Sequence, residues 1–296
     1  NMATWMLCGW GKPALAAEWG PALTSGVKLA SYCLTEPDAG SDAANLKTSA
    51  RRDGDDYVLK GSKAFISGAG STDMLIVMAR TGVAGAKGIS AFAVPADLPG
   101  IRYGKKEDKM GWNSQPTRAI FFDDVRVPAA NRLGEEGEGF RIAMKGLDGG
   151  RINIATCSVG AAQGAFNAAQ RYLGERQQFG KKLADFQALQ FRLADMATEL
   201  VAARQMIRLA ASKLDAAAPD TSIYCAMAKR FATDAGFNIC NEALQLHGGY
   251  GYLRDYPLER LLRDARVHQI LEGTNEIMRV IIARRMLEAD APDSIR

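Results

Sequence analysis

The sequence predicts an α+β protein of several domains, with an antiparallel β-barrel or sandwich in the middle followed by an up-down helical bundle. Two observations carry this. Between Lys28 and Pro128 the apolar residues fall in short β-like runs with no long helix between them. From Gly137 onward they recur at three and four residues over long stretches, the period of an amphipathic helix.

In chain order, residues 1–26 read as one short helix with a loop. Gly11 and Pro13 break the first apolar segment, and Gly20-Pro21 end the next. Trp5, Trp10 and Trp19 want a partner surface, and the start has neither a basic n-region nor an initiating Met. The expectation is a piece of a longer chain whose upstream helices would cover those rings. Tyr57–Gly61, Met74–Ala79, Ile89–Val94 and Ala119–Val125 are the strands. They are parted by Asp53-Gly54-Asp55-Asp56, by Gly82–Gly88 and by Pro99-Gly100. The glycines of Thr81–Gly88 fit neither a dinucleotide fingerprint nor a P-loop, because no Ser or Thr follows Lys87. Helices are expected over Phe140–Glu175, Asp185–Asp215, Ser222–Leu246, Pro257–Val267 and Glu276–Met286. Ala202, Ala203, Ala210 and Ala211 allow close helix approach or self-association. The expected division is 1–27, 28–130 and 131–296, with Pro128–Gly134 as the joint.

Apolar residues at 47% and charged residues at 24% are ordinary for a globular protein, and no apolar run is long enough to span a bilayer. The excess of 37 basic over 33 acidic residues is too small and too dispersed for a nucleic-acid-binding face. Five scattered cysteines and two histidines give no metal-ligand spacing, so no metal site is expected. The odd cysteine count fits a reducing compartment.

Four stretches can carry chemistry. Glu272-Gly273-Thr274 interrupts two helical segments with a flexible residue and a helix N-cap, presenting a carboxylate at a bend. A surface turn acid and a general base in an apolar setting both need that placement. In Tyr32–Asp42, Thr35 and Ser41 offer donors to a ring carbonyl or an anion, although the composition is also that of a well-formed turn. Phe65 and Ser67 share one face of a strand, which suits a flat heterocycle or simple core packing. Arg176, Gln178 and Lys181, together with the glycines of Leu244–Gly251, suit a pyrophosphate, or a solvated turn and a helix C-cap.

Taken together, Tyr32–Asp42, Gly61–Gly68, Arg176–Gly180, Gln245–Gly251 and Ile270–Thr274 resemble the acyl-CoA dehydrogenase family in order and spacing across nearly the whole chain. Gly111–Arg118 and Gly149–Ile154 are most similar to the branch that acts on isobutyryl-CoA. The resemblance implies an N-terminal helical domain, of which residues 1–27 are the tail, then a middle β-domain and a four-helix domain, assembled as a homotetramer or homodimer. It implies FAD as cofactor, an acyl-CoA substrate, and electron-transfer flavoprotein as acceptor. The compartment would be the cytoplasm of a bacterium or the mitochondrial matrix of a eukaryote.

By that resemblance Glu272 is the base that removes the α-proton, and Arg151 organises its loop. Tyr32, Leu34, Thr35, Phe65 and Ser67 match flavin contacts, with Phe65 where many members have Trp. Arg176, Gln178 and Phe179 match residues reaching a neighbouring subunit's FAD. Gln245, Gly248 and Gly249 match the other side of its adenosine diphosphate site. Thr274 and Glu276 match positions touching flavin, Glu276 replacing the Gln of some branches. Ser41, Leu271 and Gly273 match substrate contacts, Leu271 replacing the Tyr of medium-chain members. Members with the base on another helix place it where Gly150 stands here, and glycine cannot take a proton. The implied reaction is dehydrogenation of isobutyryl-CoA to methacrylyl-CoA in valine breakdown. Short straight-chain or 2-methylbutyryl substrates, an oxidase, or a non-catalytic paralogue are the alternatives.

Overall fold

The computed structural model describes residues 2–288, so the ends of the first and last expected segments lie outside the described residues. Two compact units make up the chain. One holds the residues up to Lys109 with Asn113–Leu147, and the other holds Met110–Trp112 with the residues from Asp148 onward.

The first unit begins with α1 (Met2–Trp10) and α2 (Pro13–Thr24). Here the expectation of one helix ended by Gly20-Pro21 is corrected. Pro21 lies inside α2 and costs only its own N–H bond in the last turn, while Thr24 Oγ1 donates to the Gly20 carbonyl at 2.8 Å. The sheet is built from β1 (Ala30–Cys33), β2 (Ser49–Asp53), β3 (Asp56–Ser67), β4 (Met74–Arg80), β5 (Ile89–Pro95), β6 (Ile101–Tyr103), β7 (Thr117–Pro128) and β8 (Arg132–Leu133). Its order is β6-β7-β3-β2-β4-β5-β8, with β1 added on β4. Most pairings are antiparallel, but β1 and β2 both run parallel to β4, so the sheet is mixed. Strands β4 and β5 are buried on both faces, which is why they read as unbroken apolar runs. On one face Tyr57 and Phe92 pack with ring centroids 4.8 Å apart, a contact worth about 1 kcal/mol beyond its buried area. On the other, Met6, Leu7 and Leu15 of the first two helices pack with Met74, Ile76 and Met78.

The second unit is helical. Helix α3 (Gly139–Glu175) enters it from Asp148 and is followed by a short hairpin, β9 (Gln177–Gln178) with β10 (Lys181–Lys182). Phe179 and Gly180 form the hairpin turn, both at positive φ (53° and 77°), as a two-residue loop of this hand requires. Then come α4 (Gln187–Asp215), α5 (Thr221–Leu246), α6 (Leu258–Arg266) and α7 (Asn275–Met286). The core is rich in alanine: Ala155, Ala162 and Ala169 of α3 share it with Ala203 and Ala210 of α4 and with Ala228 and Ala232 of α5. Of the four alanines expected to allow close approach, Ala203 and Ala210, one heptad apart, are buried, whereas Ala202 is exposed. Met110–Trp112 are strapped to α6. The Trp112 N–H donates to Asp264 Oδ1 at 2.5 Å, and Arg263 donates to the Met110 carbonyl at 2.9 Å. Among the described residues no helix is long and apolar enough to cross a membrane.

Candidate active site

The turn between α6 and α7 is built so that it cannot relax into one helix. After Arg266 the chain tightens through Val267–Gln269, and the Leu271 N–H bonds the Val267 carbonyl at 3.0 Å. Glu272 and Gly273 then take φ of 57° and 90°, and Thr274 opens α7 by accepting from the Ile277 N–H at 3.3 Å. A left-handed glutamate costs roughly 1–2 kcal/mol, so packing must hold it. The φ of Gly273 strains any residue with a side chain, and a Cβ there would come within 2.7 Å of the end of the flexible Met278 side chain, which would have to shift.

The Glu272 Oε2 atom is enclosed and has no hydrogen-bond partner. Burial pushes the carboxyl up to about 7, against the opposing pull of Arg151 and Lys229. This fixes a sign for stability. The folded chain holds the Glu272 proton more tightly than the unfolded chain, so the contribution is complete below the ordinary carboxylate range, near pH 4.5, and is lost as pH rises through about 7. The amount is at most about 3 kcal/mol. Glu272→Gln cannot titrate, so its stability relative to the parent should rise between about pH 5 and pH 8. Denaturant unfolding at both pH values checks this, and a constant difference would contradict it.

Around the turn, Arg151 of α3 is buried and donates to Asp148 Oδ1 at 2.7 Å, while Asp148 Oδ2 accepts from Ser222 at 2.6 Å. Lys229 of α5 is wholly buried and donates to the Gly273 carbonyl at 2.8 Å and to Asn275 Oδ1 at 2.9 Å. The Asn275 amide donates onward to Asp234 at 2.7 Å and to Thr233 at 3.0 Å. The ring of His268 is also fully buried, lies 4.7 Å from that of Trp112, and is pushed down to about 4 by burial. Sequence reasoning missed Lys229 and Asn275. The available signal was a lysine in helical register with Cys225, Ala226, Ala232 and Thr233, all on the buried face of α5.

In the first unit, the Tyr32–Asp42 and Phe65–Ser67 stretches come together. The Ala64 N–H bonds the Thr35 carbonyl at 2.9 Å, and Ser31 Oγ donates to the Ser67 carbonyl at 2.7 Å. Beneath them lies a buried ion pair. Lys63 donates to Glu36 at 2.8 Å and to the Leu34 carbonyl at 3.0 Å, and Glu36 also accepts the N–H groups of Lys47 and Thr48. Burial works against the Glu36 charge, yet Lys63 and these hydrogen bonds hold its carboxyl below the usual carboxylate range. Phe65 and Ser67 are both exposed on either side of buried Ile66, and Phe65 sits at φ 56° with 69% of its surface open. Leu34 is buried, Tyr32 and Thr35 are partly so, and Ser41 is exposed farther along the turn.

Arg176, Gln178, Gln245, Gly248 and Gly249 line one cleft of about 610 Å³ with Tyr172, His247 and Tyr250. His247 stacks on Tyr172 with centroids 4.3 Å apart, and the Arg176 guanidinium lies 5.7 Å from the Tyr250 ring. Neither Gly248 nor Gly249 has a neighbour within 4 Å of where a Cβ would stand, so the backbone is open to a ligand. Phe179 does not join this cleft; at the hairpin tip it is 93% exposed. Glu276 stands in the first turn of α7 with its side chain exposed.

Comparison with known proteins agrees with both units. Residues 31–125 match the acyl-CoA dehydrogenase middle domain and residues 137–287 the acyl-CoA dehydrogenase C-terminal domain. The mitochondrial isobutyryl-CoA dehydrogenase of Bos taurus is 56% identical over 288 residues, covering 97% of this chain and 69% of that protein. Butyryl-CoA dehydrogenase from Megasphaera elsdenii superposes with a TM-score of 0.95 at 43% identity, over 97% of this chain and 75% of that one. A chain solved in work on the electron transferring flavoprotein of Acidaminococcus fermentans gives the same TM-score at 44% identity and the same coverage. The two matched domains span most of the sequence in the order the family requires, and the chain belongs to the acyl-CoA dehydrogenase family.

Proposed function

We propose that this acyl-CoA dehydrogenase uses FAD to introduce an α,β double bond into a short branched acyl-CoA, with isobutyryl-CoA converted to methacrylyl-CoA, and that Glu272 is its base. The observation that carries the proposal is the enclosed, unpartnered Glu272 Oε2, whose carboxyl is held near neutrality at a turn fixed by its neighbours. A carboxylate there takes the α-proton of the thioester. The Glu272 backbone N–H, at a left-handed position, is the donor for the thioester oxygen where charge grows. Arg151 supplies positive charge that keeps part of the Glu272 population ionised. Leu271 and Gly273 border the acyl chain, and Ser41 binds the pantetheine portion.

The residues present fit a flavin dinucleotide. The cleft of Arg176, Gln178, Gln245, Gly248 and Gly249 offers a guanidinium, two amides and open backbone to an adenosine diphosphate. For a ring system Phe65 offers an exposed aromatic side chain and Ser67 an exposed hydroxyl two residues on; Tyr32 and Thr35 are partly exposed and Leu34 is buried, and all five are assigned to the flavin. Thr274 and Glu276 are assigned to the flavin, and Phe179 to the cofactor of a neighbouring subunit in a homotetramer. When bound, FAD would supply the acceptor for the β-hydrogen and its electron pair, the chemistry that turns the acyl thioester into its enoyl form. Electron-transfer flavoprotein is the proposed acceptor of those electrons. For a eukaryotic source the proposed compartment is the mitochondrial matrix; the name of the bovine relative calls that protein mitochondrial.

Arg176→Ala should weaken FAD binding by about tenfold, the worth of one charge-assisted hydrogen bond. Equilibrium dialysis of the flavin measures it, and unchanged affinity would remove Arg176 from the site.

A further inference from the structure

The acyl-CoA dehydrogenase reading leaves Lys229 without a task, and its setting is hard to explain by packing. A lysine that is wholly buried in α5 has given up its hydration, and its ammonium stands at the N-terminal end of α7, where the helix dipole is unfavourable to a cation. Its two acceptors are specific. One is the carbonyl of Gly273, the residue after the base, and the other is Asn275 Oδ1, the first residue of α7. The Asn275 amide cannot turn away, because its nitrogen side is bound to Asp234 and Thr233, and Thr233 is itself bound back to the Lys229 carbonyl at 2.8 Å. The two left-handed residues, Glu272 and Gly273, therefore hang between Lys229 and the α7 cap.

We propose that Lys229 is a positioning residue for the base: through the Gly273 carbonyl and the Asn275 amide its ammonium holds Glu272 in the left-handed turn, and its charge offsets that of the Glu272 carboxylate. The proposal rests on the reading of Glu272 as the base. The charged and titratable groups facing the turn are Asp148 and Arg151 from α3, Lys229 and Asp234 from α5, Asp264 and His268 from α6 and the turn after it, and Glu276 and Arg279 from α7. Of these, Arg151 is already neutralised in part by Asp148, and Arg279 by Asp234 and Glu276. Lys229 alone among them bonds the backbone of the Glu272-Gly273 pair.

The test is difference infrared titration of the Glu272 carboxyl in flavin-loaded protein, with Glu272→Gln identifying the band, beside the pH profile of kcat. Lys229→Met should raise the Glu272 midpoint by about one pH unit and lower kcat near neutrality by about tenfold, with flavin content unchanged. Lys229→Arg, which keeps the charge, should restore the parent midpoint. If Lys229→Met is less stable but titrates and turns over like the parent, the residue is merely structural and the proposal falls. Where Lys229→Met does not fold, Lys229→Gln keeps a polar donor toward the Gly273 carbonyl and Asn275 but removes the charge. The Glu272 midpoint should rise in it too, and an unmoved one overturns the proposal. Failure of the underlying reading looks different: Glu272→Gln would then retain thioester dehydrogenation, whatever the Lys229 variants do.

Discussion

Glu272→Gln is expected to lower dehydrogenation of a short acyl-CoA by about 1,000-fold, within the range for losing a general base. Glutamine keeps the size and the polar contacts of the turn, so flavin content and thioester binding should stay near those of the parent. Dye-coupled turnover of flavin-loaded protein measures the loss. The parent should also gain activity with pH, with an acidic limb near 7, because only the ionised carboxylate accepts a proton and burial has moved its titration there. A variant within tenfold of the parent would place the base elsewhere. At the position that the resemblance implies for the base of other members stands Gly150, which cannot take a proton.

Lys63→Met is expected to destabilise the first unit by about 3–5 kcal/mol, the cost of leaving one member of a buried ion pair alone. Lys63 is fully buried and Glu36 nearly so, and the side chain that replaces the ammonium can satisfy neither Glu36 nor the Leu34 carbonyl. The double variant Lys63→Met/Glu36→Gln should recover much of the loss, because no charge is then stranded. Denaturant unfolding followed by tryptophan fluorescence reports on this, as Trp5, Trp10 and Trp19 all lie in the first unit. A single variant as stable as the parent would show that water reaches Glu36.

The long helices were the most legible part of the sequence. In α3, α4 and α5 the apolar period runs for about seven turns or more, and these three with the shorter α6 and α7 begin and end within about two residues of expectation, as boundary assignment allows. Several strands were not read, among them the two-residue β8, β9 and β10. Ser49–Asp53 is polar at four of its five positions and Ile101–Tyr103 is only three residues long, so neither shows alternation; their partners β3 and β7 define them. The parallel pairing of β1 and β2 with β4 is equally invisible locally, since it joins residues more than thirty positions apart.

Within the candidate site, Glu272, Thr274 and the glycines were marked by punctuation that a sequence displays directly: an acid, a flexible residue and a cap in a row. The positive φ of Glu272 was not, because a glutamate carries no local signal for a left-handed turn that tertiary contacts impose. Lys229 was passed over for a related reason. A lysine in a helix is ordinarily a solvated residue, and only the packing of α7 against α5 turns its position into the floor of a site. Arg176 and Gln245, nearly seventy residues apart in the chain, were expected on opposite sides of a cofactor; they share one cleft in this chain.

The most direct test of the central claim is anaerobic titration of flavin-loaded protein with isobutyryl-CoA, butyryl-CoA and isovaleryl-CoA, following flavin absorbance. The account predicts stoichiometric bleaching, fastest with isobutyryl-CoA and lost in Glu272→Gln. Bound flavin that none of these thioesters reduces would contradict it.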